Sequence, residues 1–231
     1  MNAPQPAMTL DKSIKDIIGD DLKQSFKSIL LKYLDDRTYN EKKIRNWTSN
    51  ILLDCKEYFI KKYNDYDLFL ICFICERNVY YREGCRSISI IKTDGSDSAD
   101  LQTEYLYCAI NFFYYKHYNL DYSITDFEAD IIKKGSDILF KHLENRKYNY
   151  DKLDNYNNNI NTEHNDYILE KCNKLRCFTI NRIFDNPIKG KFDFNYLSYG
   201  KDIYRTIFQS YQNDSLICNH DVFFFKHEEF S

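Results

Sequence analysis

The run Leu68-Phe69-Leu70-Ile71-Cys72-Phe73-Ile74-Cys75 constrains this chain more than any other feature. It is unbroken, apolar and rich in residues that favour strands, and it offers water no polar side. It therefore reads as a strand over residues 66–77 buried on both faces. Two layers must cover it. One is supplied just upstream: Phe26, Ile29, Leu30, Tyr33 and Leu34 recur at three and four, which predicts an amphipathic helix over 20–35. Ile44, Trp47, Ile51, Cys55, Tyr58 and Phe59 do the same for a helix over 40–62.

Downstream the period changes to two. Residues 79–92 read as a second strand, with Ile88 and Ile90 opposite Ser87 and Ser89, closed by the turn Thr93-Asp94-Gly95-Ser96. A polar strand over 97–103 and an aromatic one over 104–115 follow. The expectation is an α+β layer, two helices packed on a four-stranded antiparallel sheet.

Composition narrows the function classes. A net charge of −3 and a pI near 6.0 lack the basic excess of a phosphate-binding surface, so no nucleic-acid partner is expected. Residues 1–12 lack the apolar core of a signal peptide, and no run reaches the roughly 18 residues that cross a bilayer, so a cytosolic protein with no membrane partner is expected. The 17% aromatic content beside 6 Gly and 3 Pro fits a bias towards Tyr, Asn and Lys from AT-rich coding and calls for no function.

The 8 cysteines then read as free thiols. Cys72 and Cys75 form a Cys-x-x-Cys pair, but residues three apart on a strand point to opposite faces and cannot grip one metal. No metal and no cofactor are expected. Catalysis is not expected either. There is no nucleophile elbow, phosphate loop or His-Glu-x-x-His helix, and Cys218-Asn219-His220 is an isolated pairing.

The residues Tyr39-x4-Ile44-x2-Trp47-Thr48-Ser49-Asn50, followed by an apolar helix, resemble the signature of Tctex-type dynein light chains. The strand 69–75, the turn around Asp94 and Gly95, and the strand 104–110 resemble further parts of the family pattern, in order and with fitting spacing. The resemblance covers about residues 15–115. It implies a non-catalytic dynein subunit forming a homo- or heterodimer with another Tctex-type light chain, in which the strand 79–91 passes between subunits. It also implies that an extended segment of the dynein intermediate chain adds along a sheet edge, here at Cys85, Arg86, Ser87, Ile88 and Ser89. Such segments tend to be basic, which Asp94, Asp97 and Asp100 suit. Trp47 is expected as a core anchor, with Thr48, Ser49 and Asn50 bonding at the helix surface. Tyr80, Tyr81 and Arg82 depart from the family pattern, being bulky where small residues are usual.

The expected organisation is a flexible arm at 1–14, a light-chain domain at 15–118 and a C-terminal extension at 119–231. Within the extension, Thr125-x-x-Glu128 caps a helix running to about Tyr148, and the Asn-rich segment 154–166 reads as a surface loop. A helical patch at Ile168, Leu169, Cys172 and Leu175 follows, then a turn at 187–190 and a strand at 192–199. A short helix with Ile203, Ile207, Phe208 and Tyr211 and an aromatic tail at 222–225 end the chain. The Trp-Thr-Ser-Asn and Asp-Gly-Ser patterns do not recur, so no tandem duplication is expected. Two functions of different class fit: a dynein light chain of an outer or inner axonemal arm, or a structural axonemal or cargo-adaptor protein docking on neighbouring axonemal proteins through the extension. Both place the chain in the cytoplasm and cytoskeleton, at the axoneme of a cilium or flagellum.

Overall fold

The computed structural model describes residues 13–77, 81–88, 94–116, 128–171, 177–185, 192–199 and 203–225, with the backbone alone described at 81–88, 192–199 and 203–205. Helix α1 (Ile14–Leu34) is capped by Ser13, whose hydroxyl oxygen accepts from the Asp16 amide at 3.2 Å, with Asp16 also set against the positive helix end. Helix α2 (Glu41–Lys62) is capped by Asn40, which accepts from the Lys42 amide at 3.1 Å. Four strands follow: β1 (Tyr66–Glu76), β2 (Tyr81–Ile88), β3 (Gly95–Gln102) and β4 (Leu106–Lys116). The same order then repeats: α3 (Glu128–Leu143), a 3-10 turn (Tyr150–Lys152), α4 (Leu153–Lys171), β5 (Cys177–Asp185), β6 (Phe192–Tyr199), β7 (Ile203–Gln212) and β8 (Leu216–Phe225).

The strands form two antiparallel four-stranded sheets, ordered β3-β4-β1-β6 and β2-β5-β8-β7. The second strand of each repeat thus lies in the sheet of the other. Leu68 pairs with Tyr199 across β1 and β6, and Cys177 pairs with Ile88 across β5 and β2. In the first sheet β6 thus takes the place of β2. The exchange anticipated between subunits is made between two lobes of one chain. It has a physical logic: β1 and β5, buried at every residue but the last, become central with both edges paired, and the exchanged strands take the sheet margins.

Four layers result. Helices α1 and α2 cover one face of the first sheet, burying Leu22, Phe26, Leu30, Ile51 and Phe59 against Leu68, Leu70, Cys72 and Ile74. The other face of β1 meets the second sheet through an aromatic layer of Phe69, Phe113, Tyr115, Phe178, Phe223 and Phe225. Phe69 stacks edge-on against Phe178 with ring centroids 5.7 Å apart, and Phe113 lies parallel to Phe178 at 6.0 Å. The two covers demanded by the apolar run are therefore a helix pair and a second sheet. Cys72 falls in the helix-side core and Cys75 in the layer between sheets, on opposite faces as their spacing requires. Helices α3 and α4 close the outer face of the second sheet.

Residues 128–225 are accordingly a second copy of the architecture, which corrects the expectation of an unrelated extension without duplication. The copies match in detail. Asp36 and Asn145, 109 positions apart, both take left-handed backbone after the first helix of their lobe, with φ of 54° and 57°. Asn40 and Asn149, at the same offset, both accept from the amide two residues on. Thr103 and Asn213 close equivalent hairpins, each accepting from two following amides.

Two further expectations give way. The Asn-rich segment 154–166 is helix α4, because Leu153, Asn157, Ile160, Asn161, His164, Asn165 and Ile168 form a buried stripe at three and four, with Asn161, His164 and Asn165 bonded to side chains of β5 and β8. Tertiary packing overrides the weak helix propensity of asparagine here. The expected helix around Ile203, Ile207, Phe208 and Tyr211 is strand β7, since pairing with β8 satisfies a backbone whose apolar pattern suits either form. The arm at 1–12, Thr125 of the capping box, Cys172, Leu175 and the turn at 187–190 lie outside the described residues.

Candidate binding edges

The exchanged strands end their sheets, so among the described residues β2 pairs with β5 alone and β6 with β1 alone. Each margin presents a row of backbone donors and acceptors that an extended peptide can join. Four of the five expected edge residues sit on β2 in register with β5: Cys85 opposite Ile180, Arg86 opposite Thr179, Ser87 opposite Phe178 and Ile88 opposite Cys177. Ser89 lies outside the described residues. Helix α4 covers β2 and β5 from outside, as α2 covers β6 and β1.

The signature residues lie apart from the β2 edge, in the first lobe. Trp47 is half-buried against the rim of the helix-side core, a lesser anchor than expected. Thr48 is the buried member, its hydroxyl donating to the Ile44 carbonyl at 3.2 Å and the Arg45 carbonyl at 3.0 Å. Ser49 is partly buried and Asn50 exposed. Asp94 is buried and accepts from the Lys116 amide at 3.2 Å, so it closes the turn. Asp97 pairs with Lys23 at 3.2 Å, while Asp100 is exposed. A side chain at Gly95 would collide with the Tyr114 ring, whose hydroxyl donates to the Lys15 carbonyl at 2.5 Å. That close approach requires glycine.

Sequence reasoning missed a polar layer in the second lobe. His164 donates from Nε2 to the Ile131 carbonyl at 3.2 Å, since a carbonyl only accepts. Its Nδ1 lies 2.6 Å from His220 Nε2, and His220 Nδ1 meets the Asn181 side-chain oxygen. Burial pushes His164 down to about 4, with the nearby Lys134 charge adding to the shift, and burial drives His220 well below its ordinary value. Both rings are neutral near pH 7. On the same side, Asn161 accepts from Asn181 at 2.9 Å and Asn165 from Thr179 at 3.2 Å. Cys218 does not pair with His220 as a nucleophile would: it packs with Ile138, Leu143 and Leu153, and burial lifts its thiol to about 12.

The helix pairs are tied alike in both lobes. Lys32 and Tyr33 hold Asp54 at 2.7 and 2.9 Å, and Lys141 and His142, at equivalent positions, hold Glu163 at 2.7 and 2.9 Å. The Lys141 hydrogen bond outweighs desolvation and brings Glu163 down to about 2.

Two lobes of paired helices thus sit on exchanged sheets, with β2 and β6 each paired on one side alone among the described residues. Residues 17–115, in the first lobe, match the model of the Tctex-1 family, which suggests a dynein light chain at the coarse level, and the match ends at Tyr115. No curated protein matches the chain. Among the described residues no helix is long and apolar enough to cross a membrane. The duplication did leave a signal in the sequence. Gln102, Leu106, Cys108, Phe113, Lys116 and His117 recur as Gln212, Leu216, Cys218, Phe223, Lys226 and His227, and Trp47-Thr48-Ser49-Asn50 is answered by Tyr156-Asn157-Asn158-Asn159.

Proposed function

We propose that the chain is a non-catalytic light chain of a dynein motor complex, placed in an outer or inner arm of the axoneme, which binds the dynein intermediate chain along the margin of β2. The observation that carries this reading is the Tctex-1 match joined to a strand whose outer backbone row is unpaired among the described residues. Recognition there uses main-chain hydrogen bonds for affinity and alternating side-chain positions for specificity. The roles of Cys85, Arg86, Ser87 and Ile88 follow from their places on that strand. Recovery of the tagged chain from ciliated cells is expected to bring intermediate chain at equal stoichiometry. Stable attachment to axonemes without intermediate chain would overturn the reading in favour of a structural axonemal protein.

A further inference from the structure

We infer that β7 and the flank of α3 beside it form an interface for a second copy of this chain, in which two β7 strands pair antiparallel across a two-fold axis. This goes beyond the function proposed above and does not depend on it. Helix α3 has two flanks of different character. Lys134, Lys141 and His142 face α4, where Glu163 meets all three. Ile132, Ser136 and Phe140 recur at four on the flank towards β7, where Gln209 donates to the Ile132 carbonyl and the Ser136 hydroxyl, and the Tyr211 ring meets Phe140 at 6.3 Å. This second flank is apolar and open, with Ile132 40% and Phe140 53% exposed. On the opposite face of β7, Phe208 lies edge-on to Phe223 and is 67% exposed, the most of any large apolar side chain among the described residues. The first lobe has no such surface at the equivalent places. There α1 carries Lys23, Lys27 and Leu31, and Lys23 closes on Asp97 of β3 at 3.2 Å.

Charge and geometry single out a second copy as the occupant. Among the described residues β7 pairs with β8 alone, and a margin of this kind is ordinarily guarded by charge. Strand β2 carries Arg82, Glu83 and Arg86, β3 carries Asp97 and Asp100, and β6 carries Asp193, whereas β7 has no charged residue from Thr206 to Gln212. Pairing across a two-fold axis sets a strand against itself, and a strand without charge puts no like charges opposite each other. The helix layer supplies the second argument. Strands lie about 4.8 Å apart and packed helices about 8–10 Å apart, so one helix spans two strands. In the second sheet α3 lies against β7, and α4 against β2 and β5. Joining two β7 strands therefore brings the second α3 alongside the first at ordinary packing distance, with Ile132 and Phe140 of each copy in the seam. A single added strand would leave that helix flank open to water.

Light scattering on the whole chain should give twice 27.9 kDa at high concentration and fall towards 27.9 kDa on dilution. Backbone hydrogen exchange should show β7 and α3 protected in the concentrated sample and released in the dilute one. Phe208→Lys and Phe140→Lys, each at an exposed site, should both return the concentrated sample to 27.9 kDa without lowering the melting temperature of the dilute protein. Leu31→Lys, at the first-lobe position equivalent to Phe140, should leave the doubled mass in place. Where one lysine variant melts early, the other variant and the exchange pattern of the unaltered chain decide. A mass of 27.9 kDa at every concentration, a doubled mass that survives the lysine variants, or concentration-dependent protection at β2, β3 or β6 in place of β7 overturns the inference.

Discussion

The two lobes share a backbone plan and differ in what fills it. Between helices and sheet, the first lobe holds Cys55, Leu70, Cys72 and Ile110, and the second holds His164, Thr179, Asn181 and His220 at the equivalent places. The volumes trade as well. Phe26, edge-on to Phe112 at 5.2 Å in the first lobe, is replaced by Gly135, while Ala99 is replaced by Gln209, whose side chain occupies the space over that glycine. Gln209 then donates to Ser136 at 3.0 Å and to the Ile132 carbonyl. Between the sheets, Phe73 and Asn111 are answered by Arg182 and Asp221, a buried ion pair. One topology therefore tolerates an apolar core and a hydrogen-bonded one, provided volume is conserved and most buried polar groups find partners.

The sharpest way to break this comparison is to open the apolar lobe. Phe26→Ala should cost about 3–5 kcal/mol, because a fully buried ring leaves a cavity with nothing like Gln209 to fill it. Denaturant melts would measure it, and a loss below about 1 kcal/mol would show that the lobes repack alike.

Acid should separate the lobes next. The His164 pKa is depressed in the fold, so the unfolded chain binds its proton first. Stability is intact above the ordinary value of 6.5 and is lost as pH falls from there to about 4, by about 3 kcal/mol for this residue alone. Hydrogen exchange at pH 7 and pH 4.5 should show α4 and β8 loosening before α2 and β4. Equal loosening would contradict the assignment. Glu163 acts lower, its contribution present above 4.5 and lost as pH falls towards about 2.

Gly135→Ala is expected to cost about 1–3 kcal/mol by forcing Gln209 out of its place, and the double variant Gly135→Ala with Gln209→Ala should recover part of it. Trp47→Ala comes last, at about 1–2 kcal/mol, below the 3–5 kcal/mol of a fully buried aromatic, since the ring is only half-buried.

Much of the first lobe was legible because its periods are clean. The stripe of Phe26, Leu30 and Leu34 predicts α1 except for its first six residues, and the double-faced run at 68–75 predicts β1 to within one residue of where it lies. In the second lobe α4 carries Asn161, His164 and Asn165 on its buried stripe, which read as polar and hence as loop, although their partners are 14 to 56 residues away. Polarity in a helix can be judged only with its partners in view. The repeat was legible in principle, through Gln102 to His117 and Gln212 to His227, but not through the Trp-Thr-Ser-Asn motif, whose counterpart keeps an aromatic and an asparagine alone.

By itself the sequence determined what short-range physics controls: which segments are amphipathic helices, where Asn40 starts the second of them, and which strand must be buried on both faces. Only the tertiary structure decided that β2 leaves its neighbours to pair with β5, some 89 to 103 positions on, and that β6 returns the exchange. Strand pairing depends on which edges lie free once the helices and the aromatic layer are in place. The entropy of closing a loop grows slowly with its length, so sequence distance alone does not select the partner.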